Sequence, residues 1–382
     1  MFLIKNGCVH TGRGEVFRKD LAIDNGKIAR IEEAIPISEA DSVLDASGME
    51  VFPGFVDAQN LWGILGPGWT GDDRSEAYLP VTPEMNVVYA FDQDGMNFQR
   101  LYRYGVTCAC IAPAPSNVLR GRAAVFKTRG RSPYDMLIKE SVAMTASVTK
   151  AVKETFGKRP AAPMTRMGIF SLLTDALEKA NRYDEKKDDY HAGNLALKKV
   201  LSGEMPLFVN CATRAEIDAV LHALKPYASI KLVLTGAYGL DADLPEVRKG
   251  EISVVMGDHT EAFNEAKEAT DFDRLIPLME AKANIAIGCC GDETASGCES
   301  LLWNALYWIR HGLSPEKALA CISSIPAKLL GVDHRIGSLE VGKDADLSVW
   351  TANPFKTYEA RLVSTLISGE DAQRKGETLS CW

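Results

Sequence analysis

The chain has 382 residues, 46% hydrophobic and 25% charged, with a formal net charge of −8. That composition suits an ordinary globular core, and the acidic balance without a basic, aromatic-studded patch argues against nucleic acid as a partner. Nine cysteines with no C-x-x-C pair exclude a zinc ribbon or thioredoxin-type motif on spacing and read as reduced thiols, while no apolar run approaches a membrane span or a secretory leader, so the expected location is cytoplasmic and no membrane is expected.

In chain order, the first fifty residues read as short strands with turn punctuation. Asn25-Gly26 stands between two apolar runs, and both central residues of a type I′ turn need positive φ, so a hairpin is predicted there. The stretch 51–63 follows, an apolar run broken by Pro53-Gly54, re-formed as Phe55-Val56 and ending in polar residues. It predicts an outer strand, a forced turn, and a buried strand whose C-terminal end opens into a site. From 55 to about 332 short apolar runs alternate with helical stretches. Strands are predicted around 105–111, 207–209, 230–234, 251–256 and 284–287, with a helix over Arg214–Leu224. Such alternation over more than half the chain predicts a parallel α/β barrel, with function at the C-terminal ends of the strands. Ser314-Pro315 predicts a helix N-cap and first turn. The stretches 336–350 and 361–370 are again strand-rich. The fold class expected is therefore α/β: a TIM-like (β/α)8 barrel over 55–335, with an appended β-sandwich domain joining 1–54 to 336–382.

The stretch Pro53-Gly54-Phe55-Val56-Asp57-Ala58-Gln59-Asn60-Leu61 resembles the first barrel strand of the amidohydrolase superfamily, whose pattern is Pro-Gly-x-x-Asp-x-His-x-His. Residues 336–350 are similar to that family's Gly-Ser-Leu-Glu-x-Gly-Lys-Asp-Ala-Asp-Leu signature. Thr82-Pro83, Gly105-Val106-Thr107, Lys127-Thr128-Arg129-Gly130 and Thr165-Arg166-Met167-Gly168 resemble its imidazolonepropionase-like branch. The resemblance implies a metal-dependent hydrolase of non-peptide, often cyclic, carbon–nitrogen bonds. In that chemistry imidazoles and a carboxylate hold zinc or another divalent metal, which turns bound water into hydroxide near neutrality.

Set against the family pattern, the ligand positions have changed. The two histidines of strand one are Gln59 and Leu61, that of strand five is Asn210, and that of strand six falls on Gly236. The strand-eight aspartate falls on Cys290, or in another register on Asp292. Leu61 has no lone pair, and Gln59 offers a weak neutral oxygen. The expected cofactor is therefore none.

Two constellations carry the remaining chemistry. Asp258-His259 after strand seven and Cys289-Cys290 with Asp292-Glu293 after strand eight could form a Cys–His pair oriented by a carboxylate, or a rebuilt metal site of His259, Asp292 and Cys290. The plainer reading is that Cys290 is a small neutral replacement and His259 a loop residue. Asp72, Glu76, Lys127, Arg129, Glu140 and Arg166 are expected at the pocket or its lid. There they would favour an anionic or carbonyl-bearing ligand, unless Lys127 and Arg166 pair with carboxylates to hold long loops. The reading of the sequence is a non-metallo pseudoenzyme that binds a small molecule or pairs with an active amidohydrolase, with homo-oligomers possible. The alternatives are an active carbon–nitrogen hydrolase with rebuilt ligands or a Cys290 thiol, and a purely structural subunit.

Overall fold

The computed structural model describes residues 1–66, 71–95, 98–158, 161–260, 265–281, 284–289, 297 and 299–373. One eight-stranded sheet runs in strict sequential order. Its strands are β1 (Phe55–Asn60), β2 (Val106–Ile111), β3 (Leu119–Lys127), β4 (Leu137–Ser147), β5 (Leu207–Cys211), β6 (Leu232–Gly236), β7 (Ser253–Met256) and β8 (Ile285–Ile287). The sheet curls back on itself. Just past β8, the Cys289 amide donates to the Asp57 carboxylate of β1 at 3.4 Å. At the other end of the seam the Val56 amide donates to the Ile322 carbonyl at 2.8 Å.

Alternation along the strands sorts the core into two layers. Val56, Cys108, Val125, Phe208, Val233, Val255 and Ala286 pack with one another as the barrel interior. Val209, Leu234, Met256 and Ile287 face outward against Leu173, Val220, Ile276 and Trp308 of the surrounding helices. The helix Arg214–Leu224 forms as its periodicity predicts, opened by a capping box between Thr213 and Glu216. Ser314 caps the helix Pro315–Cys321 as expected, and the chain breaks at Ser323 before a second helix, Ser324–Leu329.

The barrel is not all parallel. β3 pairs antiparallel with both β2 and β4, whereas every other neighbouring pair is parallel. The reason is chain length. Residues 112–118 alone separate β2 from β3, and a parallel return needs a crossover of roughly a dozen residues or more.

Both ends of the chain build two further sheets. A four-stranded sheet holds Lys27–Glu32, Asp20–Asp24, Phe2–Lys5 and Ser42–Asp45. A six-stranded sheet sets Glu50–Pro53 between Cys8–His10 on one side and the tail strand Leu347–Trp350 on the other. Ile4, Leu21 and Ile28 of the first pack with Val9, Val51, Leu347 and Leu366 of the second in one core. The hairpin at Asn25-Gly26 forms as expected, with φ of 49° and 76°. Among the described residues no helix is long and apolar enough to cross a membrane.

Candidate functional site

The C-terminal ends of the parallel strands define the barrel mouth, and β1 brings three buried polar residues to it: Asp57, Gln59 and Asn60. The Asp57 carboxylate accepts from Asn60 Nδ2 at 2.8 Å, from the Gln59 amide at 3.3 Å and from the Cys289 amide at 3.4 Å. Asn60 Oδ1 in turn accepts from the Trp62 amide at 2.7 Å. Burial pushes the Asp57 carboxyl up to about 6, against the opposing pull of these hydrogen bonds. Asp57 thus fastens the barrel seam and is poised to change charge in mildly acidic solution.

On β5 and β6, Asn210 and Thr235 lie two residues beyond Phe208 and Val233, so they share the interior face and form its upper layer. Asn210 Nδ2 donates to Thr235 Oγ1 at 3.5 Å. Among the described residues, Asn210 Oδ1, Gln59 Oε1 and Asp258 Oδ2 are buried acceptors with no hydrogen-bond partner. Unmet buried acceptors are costly, and these three lie at or just past the C-terminal ends of β1, β5 and β7.

The four described ligand positions do not suit the metal that the resemblance implies. Gln59 and Asn210 carry neutral amides. Leu61 packs against the apolar core at the start of the short helix Trp62–Ile64. Gly236 has φ of +81°, and a Cβ added there would stand 3.2 Å from the Cys211 carbonyl oxygen and 3.4 Å from Asn210 Nδ2. A histidine at that position would be strained as well as crowded. Cys290 and Asp292, the strand-eight alternatives, lie outside the described residues.

His259 does not present a free imidazole to a thiol or a metal. It is buried, with Nδ1 3.0 Å from the Gly257 carbonyl and Nε2 2.9 Å from Thr270 Oγ1. Its ring lies among Tyr238, Phe272, Tyr307 and Trp308. Nδ1–H donates to the carbonyl, and the ring is the neutral tautomer when the Thr270 hydroxyl, which also lies 3.1 Å from the Tyr238 carbonyl, turns its one proton to Nε2. Burial lowers its pKa to about 4, consistent with that assignment. The neighbouring Asp258 accepts through Oδ1 from the Thr260 amide at 2.8 Å and hydroxyl at 2.6 Å.

The polar residues expected around the mouth disperse. Asp72 is there in the loop after β1, but its carboxylate is held by Arg74 at 2.7–2.8 Å. Glu76 is exposed in the same loop and contributes its backbone carbonyl to Asn117. Arg166 is exposed at the first residue of the helix Arg166–Arg182. Glu140 is exposed on β4 and accepts from Asn86 Nδ2 at 2.7 Å.

Lys127 and Arg129 are at the opposite end of the barrel. Because β3 runs antiparallel, its C-terminal residue Lys127 pairs with Cys108 near the start of β2, at the barrel foot. There Lys127 Nζ donates to Asp344 at 2.8 Å, Asp346 at 3.0 Å and Ser368 Oγ at 2.7 Å. The tail signature is thereby explained as a clasp on the barrel. Burial alone would lower the Lys127 pKa, but the two carboxylates raise it. Arg129 stacks its guanidinium over Tyr102, 5.5 Å from the ring centre.

Sequence reasoning missed Asp57 as a site group. The available signal was a carboxylate directly after the apolar pair Phe55-Val56 of a buried strand, two residues before a ligand position.

The amidohydrolase family model matches residues 148–372. Over 376 residues the chain is 24% identical to the amidohydrolase tasK of Hapsidospora irregularis, which covers 88% of this chain but 38% of that protein. A stretch of 57 residues is 39% identical to dihydroorotase of Listeria monocytogenes serotype 4a, covering 15% of this chain and 13% of that protein. The chain thus spans well under half the length of these curated relatives. Among solved structures, an amidohydrolase from Thermotoga maritima MSB8 superposes with a TM-score of 0.88 at 26% identity, over 97% of this chain and 99% of that one. Phenylurea hydrolase B shares the fold at 14% identity and a TM-score of 0.57, over 98% and 97% of the two chains.

Proposed function

The chain belongs to the amidohydrolase family, and we propose that it receives a small molecule at the barrel mouth without the metal-held hydroxide of that family's chemistry. The observation that carries this reading is the replacement of the described ligand positions by two buried neutral amides, an aliphatic side chain and a left-handed glycine. Neutral amide oxygens bind divalent cations weakly and do not stand in for imidazole. They are good acceptors for N–H and O–H groups. A ligand of matching chemistry carries such donors, as cyclic amides and ureides do. The ligand class follows from the amide acceptors, and the dihydroorotase relative aligns over 15% of this chain.

The test pairs binding with hydrolysis. A panel of cyclic amides, ureides and amino-acid amides is screened by thermal shift against the full chain, then assayed for ring or amide cleavage with zinc or manganese present. A stabilising ligand that is not hydrolysed, and whose shift is lost in both Gln59→Leu and Asn210→Leu, supports the reading. These variants remove an unmet buried acceptor, so their folding is expected to be intact. Turnover that is abolished by a chelator and restored by metal would overturn it.

A further inference from the structure

A second site lies on the six-stranded sheet of the chain ends, a different sheet from the barrel that carries the mouth residues. Cys8 and His10 are two apart on the strand Cys8–His10 and so share one face. Glu50 stands beside them on the adjacent parallel strand, in direct register with Cys8. Cys8 Sγ is 4.0 Å from His10 Nε2, and Glu50 Oε2 is 2.6 Å from the same nitrogen. All three ligand atoms lie within 4.8 Å of one another. The His10 ring is fixed by stacking on Phe52, 4.2 Å between centres and 14° from parallel.

The arrangement distinguishes two chemistries. A nucleophilic relay would place the carboxylate on one imidazole nitrogen and the thiol on the other. Here both address Nε2, so the three atoms converge on a common point instead of forming a chain. We propose that Cys8, His10 and Glu50 form a zinc-type divalent metal site with an open fourth position, separate from the barrel mouth. Tetrahedral zinc with bonds of about 2.0–2.3 Å separates its ligand atoms by roughly 3.3–3.8 Å. The Cys–His pair is already near that spacing, and a rotation of the half-exposed Glu50 carboxylate opens the other. Mixed sulfur, nitrogen and oxygen donors suit zinc better than magnesium or calcium. Burial and the Glu50 carboxylate raise the Cys8 thiol pKa, so the free site holds its proton. On binding, the cation takes the thiolate as ligand and that proton passes to solvent.

The experiment is cobalt titration of the EDTA-treated, dialysed full chain, followed by zinc competition. One equivalent of cobalt is expected to give a near-ultraviolet sulfur-to-metal charge-transfer band that zinc removes. Cys8→Ser should abolish the band, and Glu50→Gln should weaken cobalt binding at least tenfold. Both variants are conservative, and a metal-free melt checks that each remains folded. No band with the wild-type chain, or a band that survives in Cys8→Ser, would overturn the proposal. The same variant keeps this failure distinct from that of the functional reading. Metal lost with Cys8→Ser leaves the mouth metal-free, whereas metal retained by Cys8→Ser and coupled to hydrolysis counts against the reading of the mouth.

Discussion

Replacing Lys127 by methionine tests the clasp at the barrel foot. The side chains of Lys127, Asp344 and Asp346 are 6%, 8% and 2% exposed, so the ion cluster is buried. Removing the cation strands two carboxylates, and among the described residues only Asp344 keeps a second cation, Arg335 at 2.7 Å. Asp346 is left with the Ser368 amide at 2.7 Å and the Cys108 thiol at 3.5 Å. Breaking one side of a buried pair costs about 3–5 kcal/mol because the partner charge remains uncompensated. With an unfolding entropy of about 2.1 cal/mol/K per residue over the chain, that corresponds to a Tm lower by roughly 4–6 °C if the molecule unfolds cooperatively. Scanning calorimetry at pH 7 reads this directly. The pH dependence adds a signature. Burial would raise the Asp344 pKa, but Lys127 and Arg335 hold it below its ordinary value, so this stabilisation is present above the ordinary carboxylate range and lost as pH falls through the folded value. Lys127 is raised, so its share is present below its ordinary value and lost as pH rises through the folded one. Lys127→Met should reduce both slopes. A drop of less than about 1 °C, together with loss of small-molecule binding, would refute the placement at the foot.

Asp57 should make stability fall as pH rises from about 4 through about 6, because the folded state holds its proton more tightly than the unfolded one. The size follows from a shift of about two units at 1.36 kcal/mol each, so roughly 3 kcal/mol, and urea titrations of wild type and Asp57→Asn across that range measure it. His259, buried and lowered to about 4, should show imidazole NMR signals that do not titrate between pH 5 and 8. A midpoint near 6.5 would mean that the aromatic enclosure opens in solution.

What the sequence reveals follows from which interactions are local. The hairpin at Asn25-Gly26 is legible because positive φ is a property of two residues. The helix Arg214–Leu224 is legible because its apolar period and its cap lie within a dozen positions. The direction of β3 is not local. Its residues are compatible with a strand running either way, and the short connection before it decides. Of the two readings of Lys127, a pocket position or a pairing with carboxylates, the second is the one seen. A lysine ending a parallel strand faces the mouth, and the same lysine ending an antiparallel strand faces the foot. Asp57 was hidden for a related reason, since its burial arises from contacts across the seam to Cys289, more than two hundred residues away.

The same geometry explains how the family resemblance can be strong while the ligand positions differ. Part of the sequence that carries it, Gly54, Thr107, Lys127 and the tail residues Asp344 and Asp346, meets at the foot. Gly54 has room for no side chain, because a Cβ there would stand 2.0 Å from Thr107 Oγ1, and its amide donates to the Asp346 carbonyl at 2.9 Å. Thr107, Lys127, Asp344 and Asp346 are bound to one another's positions by packing and buried charge, so changing any one disturbs the joint between the barrel and the chain ends. At the mouth, hydrogen bonds join the described polar residues around Asp57 and between Asn210 and Thr235, with no ion pair among these groups. Asn210 lies above the packed interior layer, so its side chain can change while the layers below stay intact. A barrel of this kind keeps its architecture through its foot and its chemistry through its mouth, and likeness in the first says nothing of the second. Family membership here therefore follows from the clasp and the core, while activity has to be measured at Gln59, Asn210 and their neighbours.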